Sequence, residues 1–199
     1  MGKHAIIELL KIGKGVINMS TDKYIVFQLN GQEYGTSIEQ IVSIERLQKV
    51  VSLPKVSDFI EGITKLRGDV IPVIDLKKRM GLPESEETDQ SRMLVSLINE
   101  IAVGFVVDAA SDVIDIDDSV IEPTPTSVKG IDVNFLSGVA NLDDRLLLLV
   151  DLSHVLNYEE MTEVKQVVED EIEEEQQPQE ESTEQVEESN NNEEIATEE

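Results

Sequence analysis

The sequence predicts a mainly β protein built from two small barrels. Two observations lead there: an internal repeat, and a series of short apolar runs separated by turn residues. The repeat appears when the chain is slid along itself. At an offset of 76, Phe59 falls on Phe135, Gly62 on Gly138, Leu66 on Leu142, Asp75 on Asp151 and Leu76 on Leu152, without a gap. At an offset of 69, Ile25-Val26 falls on Leu94-Val95, Gly35 on Gly104, Ile38 on Val107 and Glu39 on Asp108. Two related units follow, at about 22–82 and 91–158, joined by the polar stretch Pro83–Gln90. Each has only about sixty residues and a small core, so the two are expected to pack together.

The elements justify themselves in order. "KYIVFQL", Asn30-Gly31 and "QEYGTSI" read as a hairpin, because Asn-Gly accepts the positive φ angles of a two-residue turn. "GDVIPVIDL" and "DRLLLLVDL" are short apolar strands that follow polar turns. Each leads into a short helical piece, "LKKRMGL" and "LSHVLNYEE". Pro72 lacks an amide donor, which places its strand at an edge or a bulge. Asp75 and Asp151 stand just before the two helical pieces, where a carboxylate serves as N-cap.

The charge is unevenly spread. The chain carries 42 acidic and 16 basic residues, and 18 of the acids with one base, Lys165, lie in residues 159–199. That segment has too little apolar surface to offset chain entropy and is expected to be a disordered acidic tail. A short helical extension near Met161–Val168 is allowed for. Net charge of −26 argues against nucleic acid as a partner. With no cysteine there is no disulfide framework, thiolate metal site or thiol nucleophile. No apolar run is long enough to cross a bilayer, and the expected compartment is the cytoplasm.

No catalytic constellation is legible. His4 and His154 lie far apart, which leaves no material for a His-based metal site or a nucleophile–base pair. "DIDD", Asp115–Asp118, lacks the spaced ligands of a calcium loop and reads as a turn or cap. "GKG" at 13–15 follows no strand and is no phosphate loop. Asp75 and Asp151 could be an acid–base pair, but a repeated position more simply reflects shared architecture. No catalytic residue, cofactor or metal is therefore expected. Arg67 stands out because the repeat breaks there: Asp143 holds the matching position. On residues alone it is equally a solvated turn residue and a recognition arginine.

The run "FIEGITKLRGDVIPVIDLKKRMGL", with its glycine, "LRG" and "P-V-I-D-L", resembles the signature of the CheW family of chemotaxis coupling proteins. "YIVFQLNGQEYGTSIEQI", "VGFVVDAASDVIDI" and "FLSGVANLDDRLLLLVDLSHVL" resemble other parts of it, so the likeness runs from about Lys23 to Tyr158. The resemblance implies two SH3-like five-stranded β-barrel subdomains around a hydrophobic centre. It also implies a non-enzymatic adaptor that joins chemoreceptor cytoplasmic tips to the regulatory domain of the histidine kinase CheA. The protein would then sit in the cytoplasm and meet membrane arrays only through partners. The partner-binding residues it implies are Arg67, Gly62, Gly68 and Gly104, with Ile41 as a further candidate. A groove between the barrels would take the receptor's helical hairpin. Many relatives carry an acid where this chain has Ser43; here the acid is Glu45, two residues along and on the same face of a strand, so either Glu45 takes its place beside Arg67 or Arg67 is free for the partner. A CheW-like scaffold of another kinase-linked pathway is the alternative.

Residues 1–21 are expected to be an N-terminal extension, flexible or untranslated. Lys14-Gly15-Val16-Ile17 can be encoded by a purine-rich stretch of the kind that precedes a start codon, which makes Met19 an alternative start to Met1. Mass spectrometry of the native protein checks this; a mass that includes Met1 or Gly2 rejects it.

Overall fold

The computed structural model describes residues 21–124, 133–143 and 145–176. The expectations for residues 1–20, including His4 and the start at Met19, lie outside the described residues. The strands are β1 (Thr21–Leu29), β2 (Gln32–Ser37), β3 (Ile41–Arg46), β4 (Ile60–Leu66), β5 (Asp69–Asp75) and β6 (Arg92–Ile98). They continue with β7 (Ile101–Val107), β8 (Ala109–Asp117), β9 (Ile121–Glu122), β10 (Leu136–Leu142) and β11 (Arg145–Val150). A one-turn helix, α1 (Leu76–Arg79), follows β5, and a longer helix, α2 (Tyr158–Gln176), follows a 3-10 turn at Leu152–His154.

The repeat is visible in these bounds. Shifted by 76, β4 falls on β10 and α1 on the Leu152–His154 turn; shifted by 69, β2 falls on β7 and β3 on β8. The sheets, however, do not follow the repeat boundaries. One sheet has the order β8-β1-β2-β11-β10-β9, the other β3-β6-β7-β5-β4. Each repeat lends its first hairpin to the strands of the other. The loan is made by a parallel pair in each sheet: Leu149 lies beside Gly35, and Val73 beside Gly104. These pairs are repeat mates. Sequence similarity reports that two segments share a shape, but not which copy of the partner strand each will pair with. Here pairing across the repeats joins both units by backbone hydrogen bonds.

The two strand counts differ for a local reason. β9 adds a sixth strand through Val139–Glu122 and Ala140–Ile121. At the matching place in the other sheet there is only a bridge between Val51 and Ile63, with hydrogen bonds of 2.8 and 3.0 Å. That bridge also explains Pro72. Its strand is internal, not at an edge. Pro72 stands opposite Ile63, whose own backbone groups are spent on Val51, and the parallel ladder with β7 begins one residue later at Val73. No donor is therefore missed.

Apolar residues gather in three clusters. The largest lies between the sheets and draws on both: Phe27, Leu29 and Tyr34 from one, Ile74, Leu94 and Phe105 from the other. A smaller cluster sits within each sheet, one around Val26, Ile116 and Leu147, the other around Ile71, Met93 and Val106. Glycine permits the parallel pairs. A Cβ at Gly35 would lie 2.9 Å from Leu147 Cδ2, and one at Gly104 would lie 2.8 Å from Met93 Cγ. Asp75 and Asp151 are both caps, as expected: Asp75 accepts from the backbone of Lys77 and Lys78, Asp151 from that of Ser153.

At the centre stands Arg79. Its guanidinium lies 5.5 Å from the Phe59 ring and 5.7 Å from the Phe135 ring, the two repeat mates. It also reaches Glu160 of α2 at 3.0 Å. The acidic segment thus begins as a docked helix. Its extent, Tyr158–Gln176, is longer than the helical extension near Met161–Val168 that the sequence allowed and shortens the tail expected from residue 159. Asn157 and Glu160 form a capping box, each accepting from the other's backbone N–H, and Met161, Val164 and Val167 supply a buried stripe. Residues 177–199 lie outside the described residues.

The Asn30-Gly31 turn has φ of 51° and 75°, as the hairpin reading requires. Its repeat mate, Asn99-Glu100, has φ of 49° and 71°. Glu100 thus holds a conformation suited to glycine. Replacing Glu100 with glycine is expected to stabilise the fold by about 1 kcal/mol, read as a raised urea midpoint with an unchanged slope.

Candidate partner-binding site

The β4–β5 hairpin turns through two residues, Arg67 and Gly68, since Leu66 pairs with Asp69. Both have positive φ, 55° and 105°. Gly68 meets that demand freely, and nothing lies within 4 Å of where its Cβ would be. Arg67 does not. A left-handed arginine costs about 1 kcal/mol, and strain of this kind concentrates at functional positions. In the other repeat the matching residue is Asp143, a type that tolerates such turns.

The side chain is held as well as displayed. Arg67 Nη2 donates to Glu45 Oε1 at 2.7 Å, with the Arg67 side chain 68% exposed and that of Glu45 22%. Of the two possibilities, a pair with Glu45 or a free Arg67, the structure therefore has the pair. It links β3, at one edge of the sheet order, to the hairpin at the other, so the sheet curls on itself. Ser43 lies on the same face of β3, and its hydroxyl is buried with no hydrogen bond among the described residues. With the acid at Glu45 instead, the guanidinium is anchored about 7 Å further along the strand.

The remaining candidates sit inside the same sheet. Gly62 is buried at a bulge with φ of 140°, and a side chain there would collide with the Val51 carbonyl. Gly104 is buried beneath Met93, and Ile41 is half-buried against the central cluster. Arg67, Gly68 and Glu45 thus meet through the ion pair, while Ser43 lies in one cross-strand row with Gly104 and Gly62, and Gly62, Gly104 and Ile41 serve the packing of the sheet. Sequence reasoning missed the exposed apolar residues of the edge strands. On β3 these are Val42 and Ile44, and on β8 it is Val113. Ile44 and Val113 are repeat mates, a signal that was available.

Asp151, Ser153 and His154 meet near the C-terminal end, but not as a hydrolytic triad. Asp151 Oδ2 and Ser153 Oγ both contact the same imidazole nitrogen, Nδ1, at 2.8 and 3.2 Å. Ser153 Oγ also donates to Asp151 Oδ1 at 2.6 Å. A general base needs its second nitrogen at the hydroxyl. Partial burial of Asp151 opposes ionisation, but hydrogen bonds from Ser153, His154 and Gln40 outweigh it and lower its pKa. Among the described residues no group of three or more His, Asp or Glu is placed to hold a metal ion. No described helix is long and apolar enough to cross a membrane.

Arg67→Gly and Arg67→Ala both remove the ion pair, so their comparison isolates the backbone. The glycine variant is expected to be the more stable by about 1 kcal/mol, measured by thermal or urea unfolding. Equal stability rejects the strain.

Comparison with known proteins agrees with this architecture. The family profile described as CheW-like domain matches residues 23–160. The chain is 44% identical over 139 residues to the chemotaxis protein CheW of Bacillus subtilis, covering 69% of this chain and 88% of that protein. To the chemotaxis protein CheW of Klebsiella aerogenes it is 32% identical over 145 residues, covering 73% and 87%. The crystal structure of the scaffolding protein TtCheW from Thermoanaerobacter tengcongensis superposes with a TM-score of 0.65 at 35% identity, over 70% of this chain and 94% of that one. With two sheets built from an exchanged repeat and a family match spanning nearly all of them, the chain belongs to the CheW-like family of chemotaxis proteins.

Proposed function

We propose that this chain is a non-enzymatic adaptor that couples chemoreceptor cytoplasmic tips to the regulatory domain of the histidine kinase CheA. The family match over residues 23–160 carries the reading. The chemistry of the site fits it. An adaptor needs two separate docking surfaces, and among the edge strands of the fold β3 and β8 lie in different sheets. Each exposes an apolar side chain at the same repeat position, Ile44 or Val113. Unpaired strand edges suit contact with a second β domain.

Arg67 supplies the directed contact. Its fork is preorganised by Glu45 and by the turn, so little side-chain entropy is lost when a partner's carbonyl or carboxylate engages it. Receptor conformation would then bias the kinase through a scaffold held between the two. Coupling of this kind calls for geometry and not turnover.

A pull-down with CheA and receptor cytoplasmic fragments tests the reading. Arg67→Ala is expected to weaken receptor capture by about 30-fold, the effect of a hot spot worth about 2 kcal/mol, with kinase capture retained. Glu45→Gln is expected to weaken receptor capture in the same direction. Failure of the unaltered chain to capture either partner overturns the adaptor reading. Unchanged capture by both variants removes Arg67 from the site.

A further inference from the structure

A pair of basic residues stands one position along β3 from Glu45. Arg46 ends β3 and Arg92 begins β6, and the two stand directly opposite in the antiparallel register. Like charges in that position repel. They border a cleft of about 510 Å3 that Leu47 and Thr88–Ser91 complete. Arg92 Nη1 donates to the carbonyls of Asp89 and Ser91, both at 2.8 Å, and neither acceptor carries a charge. Asp89 lines the cleft, but its carboxylate forms no ion pair with either arginine among the described residues. Arg46 is exposed and has no ion pair among the described residues. Two arginines thus line one cleft with a single acidic residue, Asp89, which leaves the lining with a net positive charge.

The chain itself carries the complement. Residues 177–199 hold nine glutamates and no lysine or arginine. They leave from the end of α2 at Gln176. That helix is tied through Glu163 to the backbone and hydroxyl of Ser57, at 2.6 and 2.7 Å, in the same loop that starts at Leu47 beside the cleft. At about 3.3 Å per residue, a segment of this length can span about 75 Å, so reach does not limit it. Tethering brings its carboxylates to millimolar effective concentration. The geometry points to an intramolecular contact: the cleft between Arg46 and Arg92 takes glutamate carboxylates from residues 177–199. One carboxylate across both guanidinium groups relieves the repulsion and gains charge-assisted hydrogen bonds. The contact does not rest on the adaptor reading.

The absence of cysteine makes the test direct. A spin label on Ser189→Cys in the full chain is expected to abolish the amide signals of Arg46, Leu47 and residues 88–92. In the Arg46→Gln/Arg92→Gln double variant those signals are expected to return, with the rest of the spectrum unchanged. They should also return at about 1 M salt, where the screening length falls to about 3 Å. Signals that are unaffected by the label overturn the proposal. So does broadening that survives the double substitution, or that gathers at Lys49 and Lys55 instead. In those cases the arginines are left for an acidic group on a separate protein.

Discussion

Everything in this fold depends on two places where strands from different repeats run side by side in parallel. At Gly35 the neighbour is Leu149, and at Gly104 it is Val73. Both glycines are there because the facing side chains, Leu147 and Met93, fill the space a Cβ would need. Once those pairs form, neither repeat can leave without stripping strands from the other's sheet. The central cluster between the sheets goes with that arrangement, since it is assembled from both interleaved halves. Two units of this size would be marginal alone, and exchanging hairpins turns them into one larger body.

The same frame explains where function sits. Architecture occupies the interior of the five-stranded sheet, which is why Gly62 and Gly104 have packing reasons of their own. The contacts proposed for recognition lie at the rim: the strained turn at Arg67, its carboxylate brace at Glu45 and the apolar side chains of an edge strand. A surface ion pair of this exposure contributes little to stability, about 0–1 kcal/mol. Its value is orientation. The brace fixes one nitrogen of the guanidinium and leaves most of its donors outward.

Much of this was legible beforehand. The repeat fell on the strands almost residue for residue, the Asn30-Gly31 turn had its expected φ signs, and Asp75 and Asp151 proved to be caps. Strand period and the family resemblance allowed an Arg67–Glu45 pair but equally a free Arg67, and the structure forms the pair. Three features were not legible, each for a physical reason. The exchange of hairpins was hidden because two similar strands offer similar edges, and only tertiary packing chooses between them. The length of α2 was hidden by its polar composition, although Asn157, Glu160 and the spacing of Met161, Val164 and Val167 mark a capped amphipathic helix. The Pro72 strand was misplaced because a missing donor matters only where a ladder requires one.

Arg79 has one more lesson. It lies almost equally far from Phe59 and Phe135, the matching rings of the duplicated halves. Only the first half provides a guanidinium there; the corresponding residue in the second is Val155. Because Glu160 binds that arginine, the terminal helix docks once and in one direction. A molecule made by doubling thereby acquires a front and a back. Such polarity is what a connector between two unlike neighbours requires, and a perfectly mirrored duplicate would lack it.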